Sequence, residues 1–147
     1  ALMSTRSRIA IQKEGGEVVS IYCHFDGYIE GVGNTLRKHY NTKEKVLELL
    51  KKGDISVLNN SIETTKYYKD RGDDWHTIEP ILNRKLFGLM SDLRSQFMIE
   101  YVYLFANGEW SVSELKEYEQ EDSYLEFIAY HTKFKPLLSY FKQKKVR

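Results

Sequence analysis

From Phe97 to Val112 the chain alternates with almost no break. Phe97, Ile99, Tyr101, Tyr103 and Phe105 stand on one side, and Met98, Glu100, Val102 and Leu104 on the other. Asn107-Gly108 then leads into Glu109-Trp110-Ser111-Val112. Period two over aromatic and β-branched residues, broken by Asn-Gly, predicts a β-hairpin closed by a type I′ turn. Both faces of this hairpin are largely apolar. A sheet strand with two apolar faces needs cover on both, so one face meets the core and the other a helix or a second subunit. Tyr101, Tyr103 and Trp110 are the residues expected at such an interface. This segment restricts the fold more than any other.

A second hairpin precedes it. Residues 8–12 and 18–25 alternate, and Lys13-Glu14-Gly15-Gly16-Glu17 joins them at hairpin length. In the second strand Val19, Ile21, Cys23 and Phe25 share the expected core face. Ser20, Tyr22 and His24 share the opposite one.

Helical spacing of Ile29, Val32, Leu36 and Tyr40 predicts a short helix over about 29–40. Asn41 and Glu44 form a capping-box-like start for a second helix. Val46, Leu47, Leu49 and Leu50 are its buried stripe, and Gly53 stands where a terminating glycine belongs. Residues 54–80 carry turn signals and no long period, with a possible strand over 62–68 and Pro80 at the close. Leu82, Leu86, Leu89, Met90 and Leu93 predict a helix over 81–94 with Gly88 a weak point inside it. Ser123 and Glu126 before Tyr124, Phe127, Ile128 and His131 predict another, within a helical C-terminal region over 114–147. The expected fold is α+β: one domain over 1–147 whose mainly antiparallel sheet is built from two hairpins and flanked by three or four helices. Ala1-Leu2 ahead of Met3 read as a vector-derived scar.

Composition narrows the function. A domain of 147 residues can bury roughly 68–70% of its unfolded surface without a disulfide or metal. Lys+Arg number 22 and Asp+Glu 21, so no single-sign field advertises a nucleic-acid or membrane partner. Cys23 is the one cysteine, which excludes a disulfide scaffold and Cys-rich metal sites and suits a reducing, cytoplasmic setting. No apolar run approaches the roughly 20 residues that span a bilayer. Six acids between Glu114 and Glu126 and six basic residues from Lys133 onward divide the charge at the end of the chain. These runs can face each other or simply be solvated.

Four kinds of chemistry can be weighed against the residues. Cys23 beside His24 suggests a nucleophile and base, but strand neighbours point to opposite faces, so a buried structural cysteine is expected. A metal-dependent phosphoester hydrolase would draw on His24, Asp26, Asp73 and His76 if the two segments converge. Otherwise Asp26-Gly27 is a turn and Asp73-Asp74 a solvated loop tip. A nucleotide or nucleic-acid site would use Arg6, Arg8, Lys69 and Arg71 for phosphates and Tyr22, Tyr28, Tyr67, Tyr68 and Trp75 for stacking. Near-neutrality favours a small anion over a duplex, and a nucleic-acid-binding regulator using the basic tail is the remaining variant. Finally, eleven tyrosines and an apolar hairpin suit a protein interface, including a homodimer.

Met3-Ser4-Thr5-Arg6-Ser7-Arg8-Ile9-Ala10-Ile11, Ile21-Tyr22-Cys23-His24-Phe25-Asp26-Gly27-Tyr28 and Tyr68-Lys69-Asp70-Arg71-Gly72-Asp73 together carry a resemblance. The chain resembles a family of small proteins of bacteriophages, prophages and mobile elements, with a Ser-Thr-Arg-Ser strand and a Tyr-Cys-His-aromatic-Asp-Gly-Tyr motif. It covers the first 40 residues well, the 68–74 segment moderately and the last third weakly. What the resemblance implies is a setting: an accessory gene product in the host cytoplasm that blocks a host defence. Targets of that kind include CRISPR effectors, restriction systems and nucleotide-signalling defences.

The expected protein is therefore a non-catalytic binding protein with no cofactor, engaging a host protein, a protein–nucleic-acid complex or a nucleotide. Arg6, Arg8, His24, Asp26, Tyr28, Arg71, Asp73 and Trp75 are the candidate ligand- or partner-binding residues. Against this stands a structural reading in which Asp26 caps a turn, Arg71 pairs with it, and the motif builds the fold.

Overall fold

The computed structural model describes residues 1–94, 98–119 and 127–141. Strands β1 (Arg6–Gln12) and β2 (Val18–Cys23) form the first hairpin in antiparallel register, Ile9 opposite Ile21. Strands β6 (Ile99–Ala106) and β7 (Glu109–Glu119) form the second, with Tyr103 opposite Val112. Positive φ at Asn107 and Gly108, 51° and 78°, gives the turn the mirror-image geometry that matches strand twist. The two hairpins meet through a parallel β1–β6 pairing at the centre. The other strands are β3 (Ile55–Val57), β4 (Lys66–Tyr67), β5 (Ile81–Asn83), β8 (Phe127–His131) and β9 (Lys135–Pro136). They extend the sheet to nine strands in the order β4-β3-β2-β1-β6-β7-β8, with β5 also on β2 and β9 also on β7.

Helices α1 (Asn34–His39), α2 (Lys43–Leu50), α3 (Trp75–Ile78) and α4 (Leu86–Leu93) accompany the sheet, and a π-helical turn at Ile29–Gly33 leads into α1. The fold is α+β, with a mixed, mainly antiparallel sheet flanked by four helices among the described residues. Alternation in β1 sorts its residues between two cores. Ile9 and Ile11 join Ile21, Cys23, Tyr103 and Phe105 beneath Leu36 of α1 and Val46, Leu49 and Leu50 of α2. Ala10 joins Val18, Val102 and Leu104 beneath Leu89 and Leu93 of α4. Both apolar faces of the second hairpin thus pack against helices of this chain.

Several expectations change. Helix α2 is capped by Thr42, whose hydroxyl accepts from Lys45 N–H at 3.2 Å, one residue beyond Asn41. The helix expected over 81–94 is divided: Ile81–Asn83 instead pair with Ser20–Val18, because Pro80 enforces an extended entry and β2 offers open backbone there. Residues 127–131 are a strand, not part of a helical C-terminal region. β7 runs past the start of β6, and there it takes Phe127–His131 in antiparallel register. Ladder hydrogen bonding there outweighs the helical spacing. Phe97, the acidic residues after Glu119 and the basic residues after Phe141 lie outside the described residues. Of the strand expected over 62–68, Lys66–Tyr67 form. The 54–80 segment is tied to the rest of the chain through the Tyr67 hydroxyl on Leu49 O at 2.7 Å and the Tyr40 hydroxyl on Asn59 O at 2.7 Å.

Candidate functional site

The motif at the end of β2 divides between the two faces of the sheet. Cys23 is buried in the α1/α2 core, and burial pushes its thiol up to about 12. It is a structural cysteine, as its strand position required. Tyr22 and His24 point the other way. The Tyr22 hydroxyl lies 2.6 Å from His24 Nδ1, and the His24 ring meets Phe25 edge-on with centroids 4.5 Å apart. Burial lowers the His24 pKa below the usual imidazole range, and the guanidiniums of Arg6 and Arg71 depress it further. Burial raises that of Tyr22 against the opposing pull of Arg6, within hydrogen-bonding reach of its oxygen.

Arg71 arrives from the other side of the sheet edge. The turn after β4, Lys69–Arg71, ends at Gly72 with φ of 87°, a left-handed conformation that glycine tolerates. Its guanidinium lies 4.5 Å from the centroid of the Tyr68 ring. Nε and one Nη donate to the two Asp73 carboxylate oxygens at 3.1 and 3.2 Å. A guanidinium has five N–H donors, so three stay open on the edge away from Asp73. Tyr68, whose phenol pKa is raised by burial and lowered in part by a hydrogen bond with Ser56, completes the wall. The result is a half-buried imidazole bonded to one phenol and depressed in pKa by burial and by two guanidiniums, one of which is held by a carboxylate.

Of the sequence-predicted residues, Arg6, His24, Arg71 and Asp73 belong to this cluster. Arg8 does not. It is buried, with Nε on Ser20 Oγ at 2.8 Å and an Nη on Ser20 O at 3.2 Å, so its donors serve the sheet. Asp26 holds the N-terminal segment: it accepts from Met3 N–H at 2.9 Å, adopts a φ of 58°, and receives Val32 N–H on its carbonyl. Its carboxylate thus serves the N-terminal segment instead of capping its own turn, and Arg71 pairs with Asp73 instead of with it. Tyr28 precedes the π-helical turn and accepts Gly31 N–H at 3.0 Å. Trp75 opens α3, lies against Gly53 and receives the Lys69 ammonium at 5.2 Å from its ring centre. The metal set expected from His24, Asp26, Asp73 and His76 does not assemble: His76 is exposed beside Glu79, and no group of three or more His, Cys, Asp or Glu is placed to hold an ion among the described residues.

The proposed interface residues are also redistributed. Tyr103 is buried and donates to Gly27 O at 2.7 Å. Trp110 is buried against Phe105 and donates to Tyr40 O at 2.8 Å. Both are core, which corrects their assignment to an interface. Tyr101, half-buried and stacked beside Tyr103, packs on the same core.

Sequence reasoning listed Tyr22 and Tyr68 among possible stacking rings but missed Asp54 and Ser56. Asp54 accepts Tyr22 N–H at 2.8 Å, filling the break between β5 and β3 along β2. Burial raises its pKa, while the Tyr22 hydrogen bond and Arg8 oppose the rise. Its only advance signal was a carboxylate directly before a short β-branched run. Comparison with family models, with curated proteins and with solved structures finds no match for this chain.

Proposed function

We propose that this chain is a non-catalytic binding protein, carried by a phage or another mobile element, that antagonises a host defence by sequestering a small phosphorylated ligand. The observation that carries the reading is the Arg71 guanidinium, 4.5 Å from the Tyr68 ring centroid and bonded through two nitrogens to Asp73, which beyond burial acts with Arg6 to depress the His24 pKa. Guanidinium, imidazole and phenol donors around one point hold an anion, and aromatic rings beside them accept a base or sugar face. The chain's near-neutral charge, 22 Lys+Arg against 21 Asp+Glu, favours a nucleotide over a duplex. The Ser-Thr-Arg-Ser and Tyr-Cys-His-Phe-Asp-Gly-Tyr motifs supply the biological setting.

Equilibrium dialysis against labelled mono-, di- and cyclic nucleotides tests the binding. At least one should be retained, with Arg6→Ala and Arg71→Ala each weakening retention tenfold or more and the remote Lys43→Ala leaving it unchanged. Retention by none, or by all variants alike, overturns the reading. In cells, expression should restore phage growth under a nucleotide-signalling defence, and Arg71→Ala should not.

A further inference from the structure

We infer that a cavity beside Arg37, toward the other end of the sheet from Arg71, is a binding site for a small apolar monocarboxylate. It stands independently of the anion site proposed above.

The cavity has a volume of about 310 Å³ and lies between α1, the start of β7 and the chain after β9. Arg37 of α1 lines it together with Trp110 of β7 and with Leu137 and Leu138 of the 3-10 turn Leu137–Tyr140. Trp110 and Leu137 are buried, while Leu138 is 55% exposed, so the lining is apolar from its inner part to its mouth. Ser139, also in the lining, spends its hydroxyl on Pro136 O at 2.7 Å.

Arg37 is a half-buried guanidinium without a counter-charge. One of its five N–H donors goes to Asn34 Oδ1 at 2.8 Å, a neutral acceptor. Its Nε is shut from solvent and has no acceptor. Among the described residues no carboxylate lies within ion-pair distance of it. The Phe141 ring, its centroid 4.3 Å from the guanidinium carbon, attracts the cation but gives its N–H groups no lone pair. Buried donors without acceptors are uncommon in folded proteins, and so are half-buried charges without partners. Beside an apolar cavity, the two together point to a ligand that supplies the missing acceptor.

Charge and volume define that ligand. A carboxylate gives Arg37 its counter-charge and two oxygens for the open donors. The apolar lining calls for a nonpolar remainder. At about 30 Å³ for each water-sized group, the cavity holds about ten non-hydrogen atoms. Glu109 lines the cavity as well, exposed and not paired with Arg37. Its charge opposes a second anionic group, which selects a monocarboxylate over a dicarboxylate or a phosphate.

Phenylacetate fills that volume and is the probe. Phenylacetamide is its uncharged counterpart, and acetate is the carboxylate without the apolar body. Nuclear magnetic resonance at the Leu137 and Leu138 methyls and at Arg37 Nε follows each titration. Phenylacetate should shift all three saturably with a Kd of about 1 mM or lower. The amide and acetate should each bind at least about tenfold more weakly. Arg37→Gln should remove the advantage of phenylacetate over the amide. Leu138→Asp adds a negative charge at an exposed position of the mouth and should weaken phenylacetate about tenfold. Glu109→Gln should not weaken it. If Arg37→Gln does not fold, the amide comparison on the parent chain and Leu138→Asp carry the test. Absence of saturable shifts, equal binding of the amide, weakening by Glu109→Gln, or shifts confined to other residues overturns the inference and leaves the Arg71 reading untouched.

Discussion

Replacing Asp54 separates two roles that the structure assigns to one carboxylate. Tyr22 N–H lies between the β2–β5 and β2–β3 pairings and has Asp54 Oδ1 as its acceptor at 2.8 Å. Alanine leaves that N–H without its acceptor in a sheet interior, a loss of about 1–3 kcal/mol. It also removes the carboxylate that opposes the desolvation of Arg8. Asparagine behaves differently, because its carbonyl can accept the same N–H without a charge. Burial raises the Asp54 pKa, so the folded state binds this proton more tightly than the unfolded chain does. Ionised Asp54 therefore opposes folding above its folded pKa, and that opposition fades as pH falls through it. At pH 7 Asp54→Asn escapes this cost while giving up the attraction to Arg8, and should stay within about 1 kcal/mol of the parent chain. Asp54→Ala should lose about 2 kcal/mol, or roughly 4–8 °C in unfolding midpoint at this size. Urea denaturation and calorimetry of the three proteins at pH 7 read this directly. If asparagine is as damaging as alanine, or alanine costs nothing, the assignment of Asp54 as a sheet-gap acceptor is wrong.

Other consequences are sharper still in their assays. Tyr103→Phe removes a buried donor and leaves Gly27 O unpaired, so it should cost about 1–3 kcal/mol in chemical denaturation. Gly27→Ala should be more severe, because a Cβ there would meet Thr5 O at 2.5 Å of fixed backbone; loss of soluble folded protein is the expected readout. The Cys23 thiol should resist a disulfide reagent at pH 8 in the native protein and react fully in denaturant, since it is buried with its pKa raised to about 12. His24 titrates below its unfolded value, so the unfolded chain binds its proton more tightly and stability should fall as pH drops below about 6.5. His24→Asn should flatten that part of the pH–stability curve.

Local signals were legible wherever the deciding contacts are close in sequence. The Asn107-Gly108 turn, the Gly15-Gly16 connection and the divergence of Cys23 from His24 follow from backbone geometry that a few residues impose. The stripe of α2 was equally plain, although its cap shifted to Thr42. What could not be read depends on distant partners. The parallel β1–β6 pairing joins segments some ninety residues apart, and no alternation within either one specifies the other. Phe127–His131 and Ile81–Asn83 have side-chain spacing that suits helices, yet open strand edges claim their backbones. The same limit governed the site. His24 and Arg71 were both suspected, but the apparently equivalent Arg8 is consumed by Ser20, and Asp26 by Met3. Only the fold distinguishes an arginine with open donors from one whose donors are spent.

The central proposal is that the protein binds an anion through Arg6, His24 and Arg71. Nuclear magnetic resonance of the labelled protein, titrated with phenyl phosphate and observed at side-chain nitrogens, tests it most directly. The account predicts that the largest changes fall on the His24 ring and on the Arg6 and Arg71 guanidiniums. Changes confined to other surfaces, or a saturated protein whose His24 nitrogens have not moved, would contradict it.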